Sequence, residues 1–148
     1  LKEGRMDADS FILAAGEWDQ DPAPGRSIVL PGPCFFHAGS TDLKTDSVVF
    51  RKDEEPAGGP DFYGPILPLA AGTYRVEVAF ETAAPKGTKL GQFYVRSGSM
   101  RSSEVPVVAN TPAVGEFRPE SNLPVRFVFV YSGNADMAIR SVTFVRLP

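Results

Sequence analysis

One cysteine, one histidine and one tryptophan occur in 148 residues, and each scarcity closes off some chemistry. With Cys34 alone there is no internal disulfide and no Cys-based zinc cluster. Its neighbours Pro33, Phe35 and Phe36 make an apolar setting in which a thiol is expected to be buried and inert. Disulfide-free domains occur inside and outside cells, so cytoplasmic and extracytoplasmic locations both stay open. His37 alone excludes a His-rich metal site, and any Ser-His-Asp arrangement would have to use it. No Gly-x-Ser-x-Gly turn is present to expose a nucleophile. Cys34 and His37 are three apart, a spacing that sends them to opposite faces of a strand. Phosphate-loop and dinucleotide fingerprints are missing as well. Catalysis is thus poorly represented, and a small hydrolase ranks behind any binding role.

Long apolar runs are also lacking. None approaches the ~20 residues that would span a bilayer, which argues against membrane insertion. Nor is there an excess of positive charge. Fifteen basic residues against eighteen acidic ones give a net charge of −3, which argues against general nucleic-acid binding. The opening residues Leu1-Lys2-Glu3-Gly4-Arg5 do not resemble a signal peptide and carry no initiator Met, as in an excised domain or a mature fragment.

Uninterrupted helix-forming stretches are scarce. The 14 prolines are about twice the usual share, and they recur throughout. Even the stretch Lys86 to Val105, free of proline, contains Gly87, Gly91 and Gly98. What recurs instead is short β-rich runs separated by turn signals, the pattern of an all-β sandwich or barrel. Residues 73–81 alternate most cleanly. Tyr74, Val76, Val78 and Phe80 share one side, and Thr73, Arg75, Glu77 and Glu81 the other. The strands expected are Ser10–Ala14, Ser27–Leu30, Cys34–Ala38, Ser47–Lys52, Gly64–Leu67, Thr73–Glu81, Leu90–Ser97, Val105–Ala109, Val114–Phe117, Val125–Tyr131 and Ala138–Val145. Val125–Tyr131 has apolar residues on both faces and reads as central. In the last strand the apolar phase slips between Ile139 and Val142, so a β-bulge is expected near Arg140-Ser141. The chain reads as one domain over 1–148, an antiparallel β-sandwich with residues 1–9 loose. Tyr74, Val76, Val78, Phe80, Phe93, Val95, Phe127, Phe129, Val142 and Phe144 should form its core.

Aromatics in polar loops are the functional lead. Trp18 lies in Gly16-Glu17-Trp18-Asp19-Gln20-Asp21, and Phe62-Tyr63 follow Asp61 after a Gly- and Pro-containing loop. An aromatic face can stack on the C–H face of a pyranose while nearby Asp, Asn or Arg binds hydroxyls, a pocket chemistry general to ligand sites. The expected binding set is Trp18, Arg51, Asp61, Phe62 and Tyr63, at a loop end of the sandwich. Of the adjacent pair, one ring should pack inward and the other stay free. Arg51 could equally pair with a loop acid. A shared site needs Trp18 and Tyr63 within about 20 Å, one strand length. No cofactor is called for, although Asp7 with Asp9, Asp19 with Asp21, or Asp42 with Asp46 could lend oxygens to a structural calcium outside any EF-hand pattern.

The run Asp61-Phe62-Tyr63-Gly64-Pro65-Ile66-Leu67-Pro68-Leu69-Ala70-Ala71-Gly72-Thr73-Tyr74-Arg75-Val76 resembles a segment of galactose-binding-like jelly rolls and carbohydrate-binding modules. There a Leu-x-x-Gly-x-Tyr element opens a core strand. Residues 131–142 look like the closing hairpin of the same domains, with Gly133 at the turn. The resemblance extends over roughly the last ninety residues and rests on structural positions, Gly72, Tyr74 and Gly133. It implies a jelly-roll sandwich and a non-catalytic carbohydrate-binding or accessory module, of the kind appended to polysaccharide-handling proteins of bacteria. The partner would be a carbohydrate or, in the second reading, another protein docking on a structural module. Self-association through Leu90–Ser97 as an exposed edge strand belongs to that second reading.

Overall fold

The computed structural model describes residues 27–52, 54, 60–64, 67–68, 72–97, 100–119 and 124–148. The expected strand Ser10–Ala14 and the loose N-terminus lie outside them. Thirteen strands are assigned among the described residues. They run β1 Ser27–Pro31, β2 Phe36–His37, β3 Ser40–Asp42, β4 Ser47–Phe50, β5 Pro60–Tyr63, β6 Leu67–Pro68 and β7 Tyr74–Glu81. There follow β8 Lys89–Ser97, β9 Met100–Arg101, β10 Val105–Val108, β11 Ala113–Phe117, β12 Pro124–Tyr131 and β13 Met137–Arg146. Every pairing is antiparallel, and the strands form two sheets packed as a jelly-roll sandwich.

The first sheet has the order β11-β7-β13-β4-β3. Its long strand β13 divides one edge between two partners, β4 along Met137–Ile139 and β1 along Ser141–Val145. The second sheet has the order β10-β8-β12-β5-β2, with β6 on β12 and β9 on β8. As expected, β12 is central. The anticipated bulge in β13 is present too, as a register shift between Ile139 and Ser141 against β7. It lets Ile139, Val142 and Phe144 all face inward despite their odd spacing.

Inward-facing side chains fill the space between the sheets. All ten expected core residues are there, Phe80 only partly buried. The rings form a continuous cluster: Phe35 stacks on Phe62 at 4.5 Å, Phe127 meets Phe62 edge-on at 6.0 Å, and Phe50 packs on Tyr131 at 5.2 Å.

Three local expectations need correction. Cys34 is not in a strand, because Pro33 fixes its own φ and has no N–H to offer a ladder. Gly32–Cys34 form a 3-10 turn closed by the Phe35 N–H on the Gly32 carbonyl, and only Phe36–His37 pair as β2. Cys34 is half-buried against the core, and His37 Nδ1 lies 3.0 Å from the Gly39 carbonyl. The strand expected over Gly64–Leu67 is displaced onto Pro60–Tyr63 and Leu67–Pro68. Gly64 adjoins the Phe35 ring so closely that an added Cβ would come within 2.6 Å of it, and its N–H bonds to Phe127 O. Finally, β8 is not an edge. It lies between β12 on one side and β10 and β9 on the other, so its ladder is satisfied on both sides.

Candidate functional site

Strand alternation sends Phe62 into the core and Tyr63 outward. Phe62 is 0% exposed and touches no solvent. Asp61 is also buried, at the register shift between β5 and β12, where its Oδ2 accepts the Tyr131 N–H at 3.1 Å. Both serve the interior. Tyr63 is half-buried on the outer face of the second sheet. Arg51 follows β4 of the other sheet, is exposed, and pairs with Glu54 at 3.4 Å. It also borders an open hollow of about 430 Å³ between β3 and β4, shared with Thr41, Asp42 and Leu43. Trp18 lies outside the described residues. The five expected residues therefore divide: three are neighbours on β5, one is on the opposite sheet, and one is not placed.

Around Tyr63 the register assembles a surface that the sequence did not announce. Tyr63 faces Phe36 on β2 and Val128 on β12, and Val128 in turn faces Tyr94 on β8. Four in-register positions thus cross four strands, about 14 Å at the usual strand spacing. Phe36 is 47% exposed and stacks on Tyr63 with ring centres 5.4 Å apart. Val128, flanked by two tyrosines, is 4% exposed, which supplies the outer cover that its apolar character requires.

A second row runs beside the first. Arg101 on β9 faces Arg96 on β8, and Arg96 faces Arg126 on β12. The Arg101 guanidinium lies 4.4 Å from the centre of the Tyr94 ring and that of Arg126 lies 5.7 Å from the Tyr63 ring, both in cation–π range. Glu104 takes Arg101 at 3.4 Å and Gln92 at 3.3 Å. These residues could have been found from the outward phase of the two expected strands, Gln92-Tyr94-Arg96 in one and Arg126 in the other. What was not readable was that the two strands are neighbours in this register.

A smaller hollow, about 100 Å³, opens at one end of the sandwich between Ser97, Ser102, Phe117 and Arg118, with Arg101 on its rim. For the candidate calcium sites, Asp7, Asp9, Asp19 and Asp21 lie outside the described residues. Asp42 flanks the β3–β4 turn and spends its Oδ1 on the Lys44 N–H at 2.9 Å, which holds its carboxyl below the usual range. Among the described residues no cluster of three potential metal ligands forms.

The sequence matches no protein-family model and no curated protein at a significant level. Its fold does match solved structures. The C-terminal CBM6 module of a laminarinase from the marine Zobellia galactanivorans superposes with a TM-score of 0.50 at 12% identity, covering 82% of this chain and 100% of that one. A CBM22-1–GH10 portion of xylanase 10B from Clostridium thermocellum, complexed with xylohexaose, gives 0.45 at 13% identity, over 72% of this chain and 25% of that one. TmCBM61, in complex with β-1,4-galactotriose, gives 0.41 at 18%, over 84% and 89%. The chain shares the β-sandwich fold of the laminarinase module.

Proposed function

We propose that this domain is a non-catalytic carbohydrate-binding module whose glycan lies across the outer face of the second sheet. The observation that carries the reading is the row Phe36, Tyr63 and Tyr94, held by strand register on a sheet surface and bordered by arginines. Rings fixed on strands lose little freedom on binding, so stacking against sugar C–H faces is not offset by ordering. The fold supports this reading, since the laminarinase module shares it, but the fold alone does not assign function. Tyr63 is the residue of the sequence-derived set that the reading keeps as a ligand contact.

Affinity electrophoresis and calorimetry against a panel of soluble polysaccharides test the proposal. Phe36→Ala and Tyr94→Ala should each weaken binding by about tenfold, or about 1.4 kcal/mol, with the far-UV circular dichroism of the folded domain retained. Arg51→Ala, beside β4 of the other sheet, should leave binding unaltered. The reverse pattern, loss with Arg51→Ala alone, would overturn the sheet-face placement.

A further inference from the structure

The arginine row beside the aromatic row has a cost that the fold does not recover. Arg101, Arg96 and Arg126 are direct cross-strand partners on one face, a placement in which like charges repel and destabilise the sheet. Of these three, only Arg101 has a carboxylate partner among the described residues, Glu104. Arg126 Nε lies beneath the surface with no hydrogen-bond partner among them. The opposite sheet differs: there Arg75 bonds Glu77 at 3.0 Å and Arg140 bonds Glu81 at 3.1 Å, with Glu116 nearby on β11. In a chain of net charge −3, positive charge is thus gathered on the aromatic face.

The rings themselves bear on what can bind. The guanidinium groups of Arg101 and Arg126 already lie against Tyr94 and Tyr63, so a ligand approaching either ring meets a cation as well as a π-face. A neutral sugar would leave those cations unneutralised as it displaced their water, a net cost. A carboxylate or sulfate group would accept from the planar N–H fork in charge-assisted pairs.

We infer that the ligand of this face is an anionic glycan, a chain bearing carboxylate or sulfate-ester groups, with Arg96 and Arg126 pairing with the anions while the exposed Phe36 ring, backed by Tyr63, supports the sugar rings. This inference rests on the carbohydrate-binding reading and specifies its substrate class. The occupant follows from charge complementarity on the face.

Matched polysaccharide pairs differing in charge separate the possibilities: polygalacturonate against its fully methyl-esterified form, and dextran sulfate against dextran. The intact protein should bind at least one charged member about tenfold or more tightly than its neutral partner, as expected for charge-assisted pairs. The preference should shrink as salt rises, because the arginines are partly exposed and screened. Arg96→Gln should remove most of the preference and Arg96→Lys should restore part of it, and neither should lower the melting temperature, since Arg96 is exposed and its replacement by Gln relieves cross-strand repulsion. The two pairs distinguish carboxylate from sulfate as the group recognised. Equal affinity within both pairs would overturn the anionic inference and leave the module reading standing. No binding to any of the four, together with tight binding of a single-stranded oligonucleotide, would overturn both.

Discussion

Asp61 is a polar side chain with an interior task. Its Oδ2 is the acceptor for the Tyr131 N–H at the point where the β5–β12 register shifts. An unmatched donor in that buried place costs free energy in its own right, so Asp61→Ala should lower stability by about 1–3 kcal/mol. Chemical denaturation would show a reduced midpoint. Affinity for glycan should hold, because the side chain is only 5% exposed. Asp42 acts differently, at the surface. The Lys44 N–H on its Oδ1 is the main cause that lowers its pKa. A carboxyl depressed in the folded state contributes stability above its unfolded pKa and loses it as pH falls through the folded value. Asp42→Asn should therefore reduce the loss of stability on acidification below about pH 4, near the ordinary Asp value. The check is a denaturation series from pH 7 to pH 2.5 on both proteins.

Among the elements, β8 and β12 carry the face, and their close packing depends on one small residue. Gly91 on β8 leaves no space: a Cβ there would run into the Val130 carbonyl oxygen and approach the Phe129 ring to 2.6 Å. Gly91→Ala should overpack the sheet and destabilise the domain by about 1–3 kcal/mol, read as a lower urea midpoint. Beyond β12 the chain turns through Gly133, whose φ of 77° is a conformation that favours glycine. There the Tyr131 hydroxyl donates to the Ala135 carbonyl at 2.6 Å and ties the hairpin to the core. The start of β13 is fixed in this way, and its bulge then sets the inward phase of the rest.

Across the whole molecule, strand neighbours are mostly remote in sequence. Ser27 pairs with Val145, and β4 and β7 both pair with β13. Loops must close before such pairs stabilise anything, so refolding should take milliseconds to seconds, the range for sandwiches of high contact order. Stopped-flow circular dichroism measures it, and a microsecond phase carrying the whole amplitude would contradict this topology. The same topology explains why association through β8 is not expected: its two edges are already paired, and the outer strands of the second sheet are β10 and β2.

Alternation and turn residues were enough to locate β7, β8, β12 and β13, the bulge between Ile139 and Ser141, and ten residues of a larger core, because a period of two with an apolar face is a local property of the chain. Proline and glycine spacing was enough to anticipate that no long helix forms among the described residues. The short strands β3, β5 and β9 escaped, since pairing along two to four residues with Ser, Asp, Pro or Arg leaves little pattern in the sequence. The site was legible only in part. One of the adjacent rings was expected to turn inward, and Phe62 does, leaving Tyr63 on the surface. That Phe36, Tyr94 and three arginines join Tyr63 was decided by strand order and register alone. Residues 36, 63, 94 and 126 become neighbours only when four strands pair, and nothing local to any one strand states which others lie beside it.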